Sequence, residues 1–212
     1  MTDNIILENN GKHSSKTKYK ILSIVSCSYS LIAINHILES HNFTVHTYNS
    51  SLRKKELLNL NGIFIKLEGI LSVQVTELKQ LVKMLDNLPL DTSIIIMTHL
   101  SPYCITALLE LVKLPTFRLN RMVVIPSNLS VSYFERTLPM YFNNQSSLPS
   151  LQQLQVKLTG RSISAFKAII ENTSIESQAI EWKSSFKTIH SQRHILCRKL
   201  NIKSIHSFLC GR

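Results

Sequence analysis

At 212 residues the chain has room for one large domain or two small ones, and a formal net charge of +11 points to a polyanionic partner such as nucleic acid. Four cysteines without paired spacing, Cys27, Cys104, Cys197 and Cys210, exclude a zinc-finger or disulfide framework and fit reduced thiols in a cytoplasm. No apolar run approaches the roughly 20 residues that span a bilayer, and MTDNIILENNGKHSSKTK lacks the layout of a signal peptide, so neither membrane nor export is expected.

Residues 1–17 read as a disordered polar arm. From 18 to 142 short apolar runs alternate with longer amphipathic ones. The strands expected are KILSIV (20–25), FTVHTY (43–48), GIFIKL (62–67), SIIIMT (93–98) and RMVVI (121–125). Helices are expected after each, over Tyr29–Ser40, Leu52–Leu60, Thr76–Leu88, Pro102–Val112 and about Leu129–Tyr141. Ser101 before Pro102 supplies a cap and a first-turn residue, whereas Pro139 leaves the end of the last helix open. Strand-helix alternation with β-branched runs predicts an α/β unit, a doubly wound parallel sheet covered on both faces.

Residues 143–157, NNQSSLPSLQQLQVK, suit a polar linker, although Leu151, Leu154 and Leu158 have helical spacing and can pack instead. Beyond them, residues 158–212 predict a small all-α unit. Ile163, Phe166, Ala168, Ile169 and Ile170 mark one helix and Ile175, Ala179 and Trp182 a shorter one, with a turn at 172–174. The basic helix TIHSQRHILCRKLNI (188–202) and a last one over Ser204–Cys210 follow. Residues 151–212 carry net +7, against +4 for 1–150, and from Ser185 to Arg212 there are six Lys/Arg and no Asp or Glu. That is the signature of a phosphate-binding surface. At about 100° per residue Ile189, Leu196 and Leu200 share the core side, and His190, Ser191, His194, Cys197 and Arg198 point away. Trp182 continues the core stripe.

The C-terminal segment resembles the LuxR-type helix-turn-helix domain. Leu158, Thr159 and Arg161 stand as its opening Leu-Thr-x-Arg element, Thr188 and Ile189 as the Thr-Val that enters the recognition helix, and Arg198, Lys199, Leu200 and Ile202 as its closing Arg-Lys-Leu-x-Val, with no gap between. Ser162, Asn172, Gln178 and Gln192 depart from the Glu, turn Gly, apolar residue and His of that pattern. Residues 18–142 resemble a response-regulator receiver, which implies strand order 2-1-3-4-5. A phosphorylatable receiver places an acidic pair after strand one, a phosphoacceptor Asp after strand three and a Lys after strand five. Here those positions hold Ser26 and Cys27, then Lys66, Leu67 and Glu68, then Pro126, Ser127 and Asn128.

A degenerate receiver joined to a LuxR-type domain is similar to the accessory regulators of the RcsA and BglJ type. The resemblance implies a cytoplasmic, nucleoid-associated transcriptional regulator that binds double-stranded DNA independently of phosphorylation. It also implies a homodimer or a heterodimer with a response regulator. From the geometry of a helix in the major groove, His190, Ser191 and His194 are the expected base contacts, and Lys187, Thr188, Arg193, Arg198 and Lys199 the phosphate contacts. No cofactor, metal or small-molecule substrate is expected. An enzyme is disfavoured because SCSYS, not a Gly-rich loop, follows the first strand. The alternative is a protein-interaction module that modulates a partner regulator and touches DNA only non-specifically.

Overall fold

The two central strands are apolar at nearly every position because both of their faces are covered. In the computed structural model, which describes residues 19–48, 57–143 and 148–211, these are β3 (Gly62–Lys66) and β4 (Ser93–Thr98). They lie between β1 (Lys20–Val25) and β5 (Met122–Pro126), with β2 (Thr44–Thr47) at the edge. All pairings are parallel and the order is β2-β1-β3-β4-β5, as the receiver resemblance implies.

Alternate residues feed two cores. Ile21, Phe64, Ile95, Val123 and Ile125 point to one face, where α1 (Ser28–Ser40) contributes Ile34, Ile37 and Leu38 and α4 (Val131–Phe142) contributes Phe134, Leu138 and Phe142. Leu22, Ile63, Ile65, Ile94, Ile96 and Met122 point to the other. There α2 (Leu71–Leu85) buries Leu71, Leu78, Leu81 and Leu85, and α3 (Pro102–Leu111) buries Ile105, Leu108 and Leu109. Period-2 strands under period-3.6 helices give this doubly wound arrangement. A side chain at Gly62 would collide with the Phe142 ring, so the closeness of α4 to the sheet depends on that glycine.

Three features refine the sequence expectation. Helix α2 starts at Leu71, five residues before Thr76, because burial of Leu71 drives a start that has no capping side chain. Thr76, expected as the first residue of this helix, donates its hydroxyl to Ser72 O at 2.9 Å inside it. Helix α4 runs through Pro139 to Phe142; Leu138 and Pro139 are buried in its last turns, and Asn143 N–H still reaches Pro139 O at 3.0 Å. Between α3 and β5 a 3-10 turn, Thr116–Arg121, carries the buried Arg118, which donates to Leu85 O (2.8 Å), Leu88 O (2.9 Å) and Pro89 O (2.6 Å). A cation on the open carbonyls at the end of α2 satisfies charge and hydrogen bonding together.

The helix expected over 52–60 lies mostly outside the described residues, and so does the arm 1–17. The polar segment after α4 docks where it is described: Leu151 is fully buried and its N–H reaches Met122 O at 2.8 Å, in turns and not in a helix. Among the described residues no helix is long and apolar enough to cross a membrane.

Candidate nucleic-acid interface

Four capped helices build the basic C-terminal unit: α5 (Gly160–Ile170), α6 (Ile175–Glu181), α7 (Phe186–Lys199) and α8 (Ile205–Cys210). Thr159, Ser174, Ser185 and Ser204 cap them by accepting from Ser162, Ser177, Thr188 and Ser207 N–H at 3.2, 3.0, 3.1 and 3.3 Å. Asn172, Lys183 and Asn201 take φ of 52°, 47° and 55° just past the first three helices. In each case the following N–H folds back to the helix, as Ile202 does to Cys197 O at 2.8 Å. Asn172, where the helix-turn-helix pattern has Gly, fills a left-handed position that asparagine tolerates better than most residues. Phe166 and Phe208 stack at 6.0 Å, and with Ile169, Ala179, Ile189, Leu196 and Leu200 they are buried at the centre. Trp182 is half-buried beneath the Arg161 guanidinium, 5.5 Å from its ring centre.

Helix α7 turns Ile189, Leu196 and Leu200 inward as its spacing predicts, and Lys187, Thr188, His190, Ser191, His194, Arg198 and Lys199 are exposed. Two residues behave otherwise. Arg193 is buried, with Nε on Gln178 Oε1 at 2.7 Å and Nη2 on Thr173 O at 2.8 Å. It lies only about 40° from Ile189 at helical periodicity, so its guanidinium is spent inside the unit and not offered to phosphate. Cys197 also faces inward, and burial raises its thiol pKa, opposed by the Arg193 charge. Gln178 departs from the apolar residue of the pattern because it is the partner of Arg193.

The unit leans on the sheet domain by the far end of α7. Ser101 Oγ, at the start of α3, donates to Leu200 O, and the Gly211 backbone sits tightly against the Gly69 carbonyl. Thr98, His99, Ser127 and Asn128 line a cleft of about 600 Å³ with Asn201, Lys203 and Ser204. Burial keeps the His99 pKa below its ordinary value. The exposed face of α7 stays outside this contact.

At the ends of β1 and β3 a lysine stands with two glutamates, Glu68 and Glu77. Lys66 Nζ pairs with Glu68 and donates to Ser30 Oγ at 2.7 Å, while Ser26 Oγ donates to Glu77 Oε1 at 3.0 Å. Burial pushes the Glu77 carboxyl above its usual range, and Glu68 adds to the push.

Solved structures share this two-part architecture. A structure of two RcsB dimers bound to two parallel DNAs matches over 91% of this chain and 96% of that one, with 16% identity and a TM-score of 0.56. The RcsB–DNA complex of the two-component response regulator matches over the same shares at 16% identity with a TM-score of 0.52. RcsB from Salmonella enterica serovar Typhimurium, bound to promoter P1flhDC in the presence of a phosphomimetic, gives 14% identity over the same shares and a TM-score of 0.56. The fold is that of the RcsB response regulator. It extends over both the sheet domain and the helical unit. No protein-family model and no curated protein matches the sequence.

Within this RcsB-like fold one cation escaped the sequence reading. Arg161 and Lys199 line a common groove of about 180 Å³ with Thr159, Gln192 and Ile195. The Leu-Thr-x-Arg element contains Arg161, but its nearness to α7 is a tertiary fact that periodicity does not carry.

Proposed function

We propose that the chain is a DNA-binding transcriptional regulator, not an enzyme, that works without phosphorylation. It acts as a homodimer or paired with a response regulator. The observation that carries this reading is the exposed face of α7: Lys187, Thr188, His190, Ser191, His194, Arg198 and Lys199, with no carboxylate on the helix. His190, Ser191 and His194 contact base edges, and Lys187, Thr188, Arg198 and Lys199 hold phosphates. Arg193 is left out of the phosphate set because its donors are engaged. The RcsB–DNA complexes that share this fold support the same use of it.

Phosphorylation independence rests on Lys66. Its ammonium lies among Ser30 and Glu68 at the strand ends, where a magnesium ion would need clustered oxygen anions. Acetyl phosphate with magnesium is expected to leave the protein unlabelled, and robust labelling overturns this part of the reading.

The test of DNA reading is anisotropy binding to a pool of genomic duplexes against random duplex at two salt concentrations. The variants are His190→Ala/His194→Ala and Arg198→Glu/Lys199→Glu. Retention of a sequence subset at the higher salt, erased by the histidine changes, with the charge reversals weakening all binding, is the expected result. Binding that is steeply salt-dependent and indifferent to sequence favours the interaction module instead.

A further inference from the structure

We propose that Ile195 is a specificity-determining residue that reads the methyl group of a thymine; this rests on the DNA-binding reading above. Ile195 is 46% exposed; the other large apolar side chain exposed on the helix, Phe186, stands at its first residue, and the remaining exposed side chains are polar or charged. Single exposed apolar residues are ordinary on protein surfaces. What sets this one apart is its place. At 100° per residue Ile195 lies about 40° from Ser191 and about 60° from Arg198, inside the outward sector and well away from the buried Ile189, Leu196 and Leu200. A β-branched residue there lowers helix propensity and gains little burial in the free chain.

Its surroundings favour DNA as what covers it. Ile195 lines the groove that holds Arg161 and Lys199, so cations on two helices flank the apolar side chain. Phosphates gripped by that pair bring the edge of the major groove against the isoleucine. Among base edges in that groove, the thymine C5-methyl is the apolar feature. One helical turn from Ser191 to Ile195 rises about 6 Å. At about 3.4 Å per base pair, the thymine lies roughly two base pairs from the one that faces Ser191.

The test uses the full chain and a duplex that it selects from the genomic pool. Each thymine in turn is replaced by deoxyuridine, which keeps the pairing and removes only the methyl. Binding is measured for the native chain, Ile195→Ala and Ile195→Val, after melting curves establish that the variants fold. One thymine per half-site is expected to cost the native chain about three- to five-fold when its methyl is removed. Ile195→Ala shows no further loss at that position, and Ile195→Val keeps part of the preference. Deoxyuridine effects that are equal in native chain and alanine variant overturn the inference while leaving DNA recognition intact. Equal weakening of selected and random duplexes by Ile195→Ala also overturns it, and places the residue at an interface between proteins. Failure of the native chain to select any duplex defeats the DNA-binding reading itself.

Discussion

Arg193 and Gln178 form a buried pair across α6 and α7, Nε to Oε1 at 2.7 Å, and Nη2 of the same arginine holds Thr173 O at the turn before α6. The pair fixes the angle at which the exposed face of α7 is presented. Removing either partner strands the other, so Arg193→Leu and Gln178→Leu are each expected to lose about 1–3 kcal/mol in urea unfolding. The double variant is expected to lose less than the sum, since two apolar groups replace both halves of the pair. Salt titration separates this role from phosphate binding: Arg193→Leu leaves the slope of log K against log salt unchanged, whereas Arg198→Ala lowers it by about 0.9.

A second contact joins the C-terminal end to the sheet domain. Gly211 has φ of 71°, and a Cβ there would overlap the Gly69 carbonyl. Gly211→Ala therefore meets both backbone strain and a collision, and is expected to cost at least about 1 kcal/mol and lower Tm by a few degrees. Gly160→Ala, with open space at its Cβ, is the control and leaves Tm unchanged or higher. Amide exchange over residues 205–210 is expected to rise in the first variant alone.

The sheet was legible because its strands carry their own signal: SIIIMT has four apolar residues in a row between Ser93 and Thr98 and is buried throughout, as fits a strand covered on two faces. The capped helices of the C-terminal unit were legible for a similar local reason, a serine or threonine before each apolar stripe. The start of helix α2 is not legible locally, because Ile70 supplies no capping side chain and Leu71 is buried. The burial of Arg193, expected among the phosphate contacts, is not legible locally, because its partner Gln178 is fifteen residues away. The groove uniting Arg161 and Lys199 depends on how α5 crosses α7, which no local pattern encodes.

Ser101 has two duties that substitution separates. Its Oγ accepts from Cys104 N–H at 3.1 Å to cap α3 and donates to Leu200 O of the helical unit. Ser101→Ala loses both, at about 1 kcal/mol for the cap alone. Ser101→Asp keeps a capping acceptor but sets a carboxylate against the Leu200 carbonyl, so α3 stays protected from exchange while the helical unit loosens. Protease sensitivity near residues 200–204 is expected to rise in both variants, and more in the aspartate variant.

Glu77 gives the fold a pH dependence whose sign follows from burial. Its carboxyl pKa is raised in the folded chain, mainly by desolvation and further by the Glu68 charge, against the lowering effect of the Ser26 hydroxyl. The folded state thus holds this proton more tightly than the unfolded state, so the contribution of Glu77 to stability falls as pH rises from its ordinary value, 4.5, through the raised one. His99 works in the opposite sense: its pKa is depressed by burial, so its contribution is present above the ordinary value of 6.5 and lost as pH falls below it. The two act together in a simple pH scan, and comparison with Glu77→Gln isolates the first. Urea midpoints at pH 5 and pH 7 are expected to show that the glutamine variant matches or exceeds the native chain at pH 7, with its advantage shrinking at pH 5. An advantage that is the same at both pH values would mean that the Glu77 carboxyl titrates alike in the folded and unfolded chain.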